Sequence, residues 1–157
     1  MDTSSTLIGL GLLAVFVLPI LYLIWQQNHK QKKGLKSLKD ISTKNKLHTE
    51  IVEISSTLML GLDSKANKLL IVEPINNMQH RVLYLNKIGT SSVNTMPFPD
   101  NRKLIKRVSL DLFGIQDKNS PMEIIFYDDD DNENHNAAER LAVAKKWNQL
   151  ISERLSA

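Results

Sequence analysis

The segment Leu58–Pro74, LMLGLDSKANKLLIVEP, carries the local signals of a β-hairpin. Leucines alternate with other residues over 58–62, which is the period of a strand with one buried face. Residues 63–67, DSKAN, favour a turn, because Asp and Asn side chains satisfy nearby backbone groups and Asn tolerates left-handed backbone angles. A second apolar run, KLLIVE, fills 68–73 and ends at a proline. Together these signals predict an antiparallel hairpin.

Further strands follow the hairpin. The stretch 104–113 alternates well, with Val108, Leu110 and Leu112 on one side and polar residues between them. The sequence MPFPDN at 96–101 cannot continue a ladder, because its prolines lack the amide donor, and it predicts a loop. Before the hairpin, apolar residues from Leu47 to Leu58 fit either a lead-in helix or a first strand. The remaining predicted strands cover 81–88, 91–95 and 122–127.

The chain ends in a predicted amphipathic helix. Asn136 can cap its first turn, with Glu139 three residues later. Arg140, Lys145, Lys146 and Glu153 are assigned to its solvent-facing side. The opposite apolar stripe consists of Leu141, Ala144, Trp147, Ile151 and Leu155.

These elements place the domain in the α+β class, as a small antiparallel β-sheet or partly open barrel of about 6–7 strands capped by a C-terminal helix. The hairpin, the strands RVLYLNKI, KRVSLDL and MEIIFYD, and the helix AAERLAVAKKWNQLISERL together resemble the pleckstrin-homology-like fold. GLDSKANKLLIV is similar to the opening hairpin of bacterial members attached to membrane helices. The resemblance implies phosphate contacts at Lys65 and Lys68, the hairpin-loop positions that match lipid-binding members, whereas many other relatives bind proteins.

The segment 7–25, LIGLGLLAVFVLPILYLIW, has no charged side chain and predicts a transmembrane helix. At about 1.5 Å per residue it would reach roughly 28 Å. Five lysines follow it and Asp2 is the only side-chain charge before it, so the positive-inside rule places the N-terminus outside and the remainder in the cytoplasm. The residues expected at the membrane interface are Tyr22, Trp25, Lys30, Lys32, Lys33, Lys36 and Lys39.

The predicted organisation therefore has four parts: a short tail at 1–6, the span at 7–25, a basic linker at 26–46 and a cytoplasmic domain at 47–157. The linker and the residues just after it, up to Glu50, carry seven lysines against two acids. Two interpretations stay open, a lysine-rich flank that only fixes topology and a stretch that binds acidic lipid. No arginines, aromatic residues or recognisable helical reader accompany these lysines, so a nucleic-acid partner is not predicted.

An acidic run offers one candidate metal site. In the frame of a calcium-binding loop, Asp128, Asp130 and Asn132 occupy positions 1, 3 and 5, and Glu139 occupies position 12. Position 6, which requires glycine for a sharp turn, is Glu133. The alternative is a solvated acidic loop whose charge favours the N-terminus of the following helix.

Catalytic patterns are missing from the sequence. It contains no cysteine, which excludes disulfides, thiolate catalysis and cysteine-built zinc sites. It contains no HExxH, GxSxG or phosphate-loop pattern, and no cofactor is predicted.

We therefore expect a membrane-tethered, non-enzymatic protein-binding or scaffolding module in the bacterial inner membrane, with the bilayer and another protein of an envelope or membrane complex as its partners. The expected contact surfaces are a strand edge or the groove beside the final helix, where Trp147 is the residue to test and Lys145 and Lys146 are its exposed neighbours. A lipid- or calcium-responsive sensor is the alternative, and an enzyme ranks below both.

Overall fold

The computed structural model describes residues 3–116, 120–131 and 136–155, and within α1 the side chains of 13, 15–22 and 31–44. Its elements are α1 Thr3–Lys44, β1 Ile51–Ile54, β2 Met59–Asp63, β3 Lys68–Glu73, β4 Gln79–Tyr84, a short 3-10 helix Leu85–Lys87, β5 Ile88–Pro97, β6 Ile105–Gly114, β7 Met122–Asp128 and α2 Ala137–Leu155.

The strands of the described residues form two antiparallel sheets. Sheet A has four strands in the order β1-β2-β3-β4, and sheet B has three in the order β5-β6-β7. Within each sheet, every strand pairs with the strand that precedes or follows it in sequence. The predicted α+β class with antiparallel strands and a C-terminal helix is confirmed, with two sheets instead of one.

The predicted hairpin is confirmed as β2 and β3, with Asp63 opposite Lys68 in the register. Asn67 has a φ of 51°, the left-handed conformation that asparagine tolerates. The Asp63 carboxylate accepts hydrogen bonds from the backbone N–H groups of Ala66 and His48, both at 2.8 Å. These bonds lower the pKa of Asp63, that from Ala66 most strongly, because they stabilise the ionised carboxylate. The turn is therefore stabilised by a charged acceptor.

The main core lies between the two sheets and α2. Leu60, Leu62, Leu69 and Ile71 contribute from sheet A, and Leu110 and Phe126 contribute from sheet B. The cap of α2 is confirmed, because Asn136 Oδ1 accepts a hydrogen bond of 2.9 Å from the N–H of Ala138. The predicted apolar stripe is also confirmed, with Ala144, Trp147 and Ile151 fully buried and Leu141 and Leu155 packed at its margins.

Arg140 differs from its predicted position. We expected it on the solvent-facing side of α2, but only 5% of its surface is exposed. Its Nε donates to the carbonyl oxygen of Phe126, and its Nη1 lies 3.7 Å from Glu53 Oε1. A long side chain with several donors can bury its stem and still satisfy part of its charge, so the helical period alone misplaced this residue.

A second core covers the opposite face of sheet A. Leu38 of α1 is fully buried against Leu70 and Val72 of β3, together with Met59 and Leu47. Therefore β2 and the apolar centre of β3 are buried on both faces, although the alternation in β2 predicted one. The segment expected to be a basic linker is helical to Lys44, and its C-terminal half packs on this sheet.

Pairing between strands determines the residue ranges of β1, β4 and β5. Residues 51–54 form β1, so the strand interpretation holds over the lead-in helix. The predicted strand 81–88 is divided among β4, the 3-10 helix and the first residue of β5, and the weak strand 91–95 is the centre of the longer β5. Strand ends depend on partners that are distant in sequence, which local patterns do not contain.

Among the described residues, no helix is long and apolar enough to cross a membrane. Helix α1 runs from Thr3 to Lys44 and includes the whole segment 7–25. The helix then continues into lysine-rich turns that pack on sheet A. This finding contradicts the transmembrane helix predicted for 7–25, and the single-pass inner-membrane anchor that depended on it has no support.

Candidate functional site

A groove opens at the end of the two sheets where the β1–β2 turn, the β3–β4 turn and β7 meet. Its volume is about 310 Å³. The apolar side chains that line it are Leu58, Ile71, Ile75, Ile124 and Ile125. Ile75 is 60% exposed and Ile125 is 38% exposed, so the apolar lining reaches the surface of the domain.

The two turns that border the groove are well defined by hydrogen bonds. The Ser55 hydroxyl donates to the carbonyl oxygen of Leu58 at 2.8 Å and accepts from the Leu58 N–H at 3.0 Å. In the β3–β4 turn, Asn77 and Met78 have φ values of 52° and 58°, and the N–H of Gln79 donates to the carbonyl of Asn76. Two successive left-handed residues with this hydrogen bond are typical of a type I′ hairpin turn. The turn fixes the backbone just after Ile75.

Four charged side chains lie at the groove: Glu73, Arg81, Glu123 and Asp131. Glu73 accepts hydrogen bonds from Asn76 Nδ2 at 2.7 Å and from Arg81 Nη2 at 2.5 Å. These bonds lower the pKa of Glu73, that from Asn76 most strongly, because both favour the ionised form. Within the part of the chain that the structure describes, Glu123 and Asp131 have no ion-pair partner. The groove therefore carries an excess of two negative charges at neutral pH.

The β7 side of the groove is an edge strand. In the described sheets β7 pairs with β6 alone, through Met122, Glu123, Ile124 and Ile125 in its N-terminal half. Farther along, the Phe126 carbonyl accepts the hydrogen bond from Arg140. The outer edge of β7 is therefore occupied by the Arg140 side chain at Phe126 and open at residues 122–125.

The predicted calcium ligands are only partly described. Asp128 accepts hydrogen bonds from Arg107 Nε and from the N–H of Asp130, and Asp130 lies 3.1 Å from Lys106 Nζ. Glu139 is exposed in the first turn of α2, and Asn132 lies outside the described residues. Among described residues, no group of three metal-ligating side chains comes together. The calcium site stays a prediction.

The predicted phosphate contacts lie at the other end of the β2–β3 hairpin from the groove. Lys65 is exposed in the turn, and Lys68 Nζ lies 4.9 Å from the centroid of the Tyr84 ring. Lys87 Nζ lies 5.4 Å from the same centroid. The structure thus adds Tyr84 and Lys87 to the two predicted lysines, as an aromatic ring with two cations against it.

The residues predicted at a membrane interface are distributed along α1. Tyr22 is 60% exposed, and four of the lysines predicted at the interface, Lys32, Lys33, Lys36 and Lys39, are also exposed. The side chains of Trp25 and Lys30 lie outside the described residues. On α2, Trp147 has no exposed surface and belongs to the main core, whereas Lys145 and Lys146 are exposed. Trp147 is therefore a packing residue.

Sequence analysis did not identify the groove, although two local signals point toward it. Ile75 is a large apolar residue inside the turn segment PINN, where polar residues are usual. Ile124 and Ile125 are adjacent in β7, so one of them must leave the buried face of the strand. That these positions meet depends on the pairing of the strands.

Comparison of the chain with protein-family models, with curated proteins and with solved structures finds no match.

Proposed function

We propose that this chain is a non-enzymatic protein-binding module whose contact surface is the groove between the β1–β2 turn, the β3–β4 turn and β7. The observation that carries the proposal is the exposure of Ile75 and Ile125 at the rim of an open groove. Large apolar side chains that gather around a concavity are typical of contact sites, whereas scattered ones are ordinary surface. The resemblance to the pleckstrin-homology-like fold, which has many protein-binding members, adds support. The chain has a four-stranded and a three-stranded antiparallel sheet followed by a C-terminal helix.

The charged groups of the groove favour binding over catalysis. A general acid or base needs a pKa close to the working pH, and burial or like charges usually raise a carboxyl group toward that value. The pKa of Glu73 is shifted in the opposite direction, because hydrogen bonds from Asn76 and Arg81 lower it. A carboxylate held ionised by Asn76 and Arg81 is suited to fixing the shape of a contact surface.

Photocrosslinking at the groove tests the proposal. The full chain, expressed in its own cells, would carry Ile125→p-benzoylphenylalanine, and the matched control would carry the same residue at Ile115, which is 55% exposed and outside the groove. We expect discrete protein adducts from position 125 that are absent from position 115. A repeat at Ile75 should give the same adducts. Identical patterns at 125 and 115, or no adduct at 125 and 75, would contradict the proposed function.

A second candidate function, binding of anionic groups, is favoured by the cations around Tyr84. Lys68 and Lys87 both approach one ring, and among the described residues neither has an ion pair. Sedimentation of the full chain with vesicles of phosphatidylserine and phosphatidylcholine tests this function. Lys65→Ala with Lys68→Ala should reduce the bound fraction, whereas the exposed pair Lys145→Ala with Lys146→Ala serves as the matched control. Equal sedimentation of both double variants would rule out this site.

A further inference from the structure

The free edge of β7 is limited to a short segment. Strand β7 ends sheet B, and its residues 122–125 pair on one side with β6. Alternate residues of an edge strand direct their N–H and C=O groups away from the sheet, where another strand can form hydrogen bonds with them. The hydrogen bond from Arg140 covers the edge at Phe126. The segment left open therefore coincides with the residues of β7 that line the groove.

Apolar side chains accompany this open edge. Ile124, on the buried face of β7, lines the groove together with Leu58 and Ile71, whereas Glu123 and Ile125 lie on the exposed face of the strand. A strand that pairs with an edge places alternate side chains on opposite faces, so one set can enter the groove while the backbone bonds form. Backbone pairing would supply affinity, and the groove would select the inserted side chains.

The acids near β7 divide into two groups. Asp128 is paired with Arg107, Asp130 is paired with Lys106, and Asp129 accepts from the Tyr127 hydroxyl. Among the described residues, Glu123 and Asp131 form no salt bridge and lie at the groove, where the only lining cation, Arg81, is already bound to Glu73. The charge of Glu123 also acts on Arg107, but that guanidinium is bound to Asp128. Their charge is therefore available to a ligand from outside, and it complements lysine or arginine.

From these observations we propose that the partner docks as an extended, lysine- or arginine-bearing segment that adds as a strand to β7 at Glu123–Ile125. The inference rests on the proposed protein-binding function and specifies the chemistry of the partner. Its apolar side chains lie on the face of Ile124 and enter the groove toward Leu58 and Ile71. Its cationic side chains face Glu123 and Asp131.

Fluorescence anisotropy with short peptides tests the charge. The probe is a fluorescein-labelled peptide of alternating Lys and Val, and its matched control alternates Glu and Val; both are titrated with the full chain. We expect binding of the Lys/Val peptide only, weakened about three- to tenfold by Glu123→Gln and weakened further by salt. Glu153→Gln, an exposed acid on α2 outside the groove, should leave binding unchanged. Equal effects of both substitutions would overturn the cationic assignment.

N-methylation of the same peptide tests strand addition. Methyl groups on alternate backbone nitrogens remove the donors of one edge of the peptide and leave the other edge intact. One methylated set should abolish binding while the other set is tolerated, because an added strand presents a single edge to β7. If the two methylated peptides bind equally well, or if both fail to bind, strand pairing is excluded.

The outcomes separate this inference from the function on which it rests. Protein adducts at Ile125, together with a Lys/Val peptide that fails to bind or ignores N-methylation, would leave the protein-binding function standing and overturn the strand-addition inference. Absence of adducts at Ile125 and Ile75 would overturn the protein-binding function itself. Thermal unfolding of Glu123→Gln verifies that this exposed substitution leaves the fold intact.

Discussion

Arg140 of α2 donates a hydrogen bond from Nε to the carbonyl oxygen of Phe126 in β7 at 3.0 Å. Its Nη1 also lies 3.7 Å from Glu53 Oε1 of β1, so one side chain connects the helix with an edge strand of each sheet. Among the described residues no strand ladder joins β1 to β7, and this guanidinium connects them instead. The residue thereby helps to set the separation of the two sheets.

Replacing Arg140 should therefore destabilise the domain. Arg140→Met keeps much of the buried stem but removes the donor to Phe126 and the cation near Glu53, and we expect a loss of about 2 kcal/mol in the free energy of unfolding. Urea unfolding followed by tryptophan fluorescence measures this loss. Lys146→Met, at an exposed position of the same helix, is the control and should change stability by less than about 0.5 kcal/mol. Equal stability of the two variants would show that the Arg140 contacts contribute nothing.

Asp63 makes the stability of the hairpin depend on pH. Its folded-state pKa lies below the ordinary 3.8, so its contribution is fully present above that value and is lost as pH falls through the folded pKa. Asp63→Asn should destabilise the protein at pH 7 by about 1–3 kcal/mol, because an amide replaces the charged acceptor of the Ala66 and His48 N–H groups.

Urea unfolding at a series of pH values checks this prediction. The difference between the wild-type protein and Asp63→Asn should shrink as pH falls below about 3.8, where the carboxylate of the unfolded chain becomes protonated, and should be lost below the lower folded-state pKa. Asp100→Asn, at an exposed loop position, provides the control for a general effect of lost charge. A difference that stays constant down to pH 2 would contradict the assigned role.

Gly61 permits close approach of the segment after α1 to β2. A Cβ atom at Gly61 would lie 2.7 Å from Thr49 Cγ2 and 3.2 Å from Thr49 Cβ. We expect Gly61→Ala to cost about 1–3 kcal/mol in stability through this overlap. Thr49→Ser removes the nearer atom, so it should recover part of the loss in the double variant.

Gly89 supplies the matched control for this experiment. A Cβ atom there would meet Ile115 at 3.5 Å, an ordinary van der Waals distance, so Gly89→Ala should not carry the steric penalty. Thermal unfolding of the single and double variants gives the comparison. If Gly61→Ala and Gly89→Ala behave alike, close approach at Gly61 is not limiting.

The C-terminal half of α1 should be an integral part of the domain. Leu38 packs against its neighbours in the second core and has no solvent-accessible surface. Leu38→Ala should therefore lower the free energy of unfolding by about 2–5 kcal/mol. Leu35→Ala, on the same helix with 48% of its surface exposed, should have a much smaller effect. Calorimetry of both variants tests this prediction, and equal melting temperatures would show that the packing of α1 on sheet A is dispensable.

The same packing predicts the outcome of truncation. A chain that begins at residue 47 lacks Leu38 and Ile41, and would expose Met59, Leu70 and Val72 on the outer face of sheet A. We expect such a fragment to be less stable and to bind a hydrophobic dye, whereas a chain that begins at residue 31 should not. Size-exclusion chromatography with dye fluorescence distinguishes them, and identical behaviour of the two fragments would contradict the packing role of α1.

Local sequence signals determined the β2–β3 hairpin and α2, because their causes lie within a few residues. Asp63 and Asn67 supply the turn, Asn136 caps the helix, and the stripe through Trp147 repeats at the helical period. Each of these features arises from side chains that interact with their own backbone or with one shared face, so it could be predicted without knowing the rest of the chain.

Tertiary structure alone decided the second core, the burial of Arg140 and the groove. The leucines of β2 and β3 have the same pattern whether or not α1 covers their outer face, and helical periodicity does not register a contact with Phe126 or Glu53. In the groove, Leu58, Ile75 and Ile125 belong to three separate segments, and their side chains meet only after both sheets have formed. Contacts between residues distant in sequence depend on strand pairing and packing, and local periodicity does not specify which distant partners will meet.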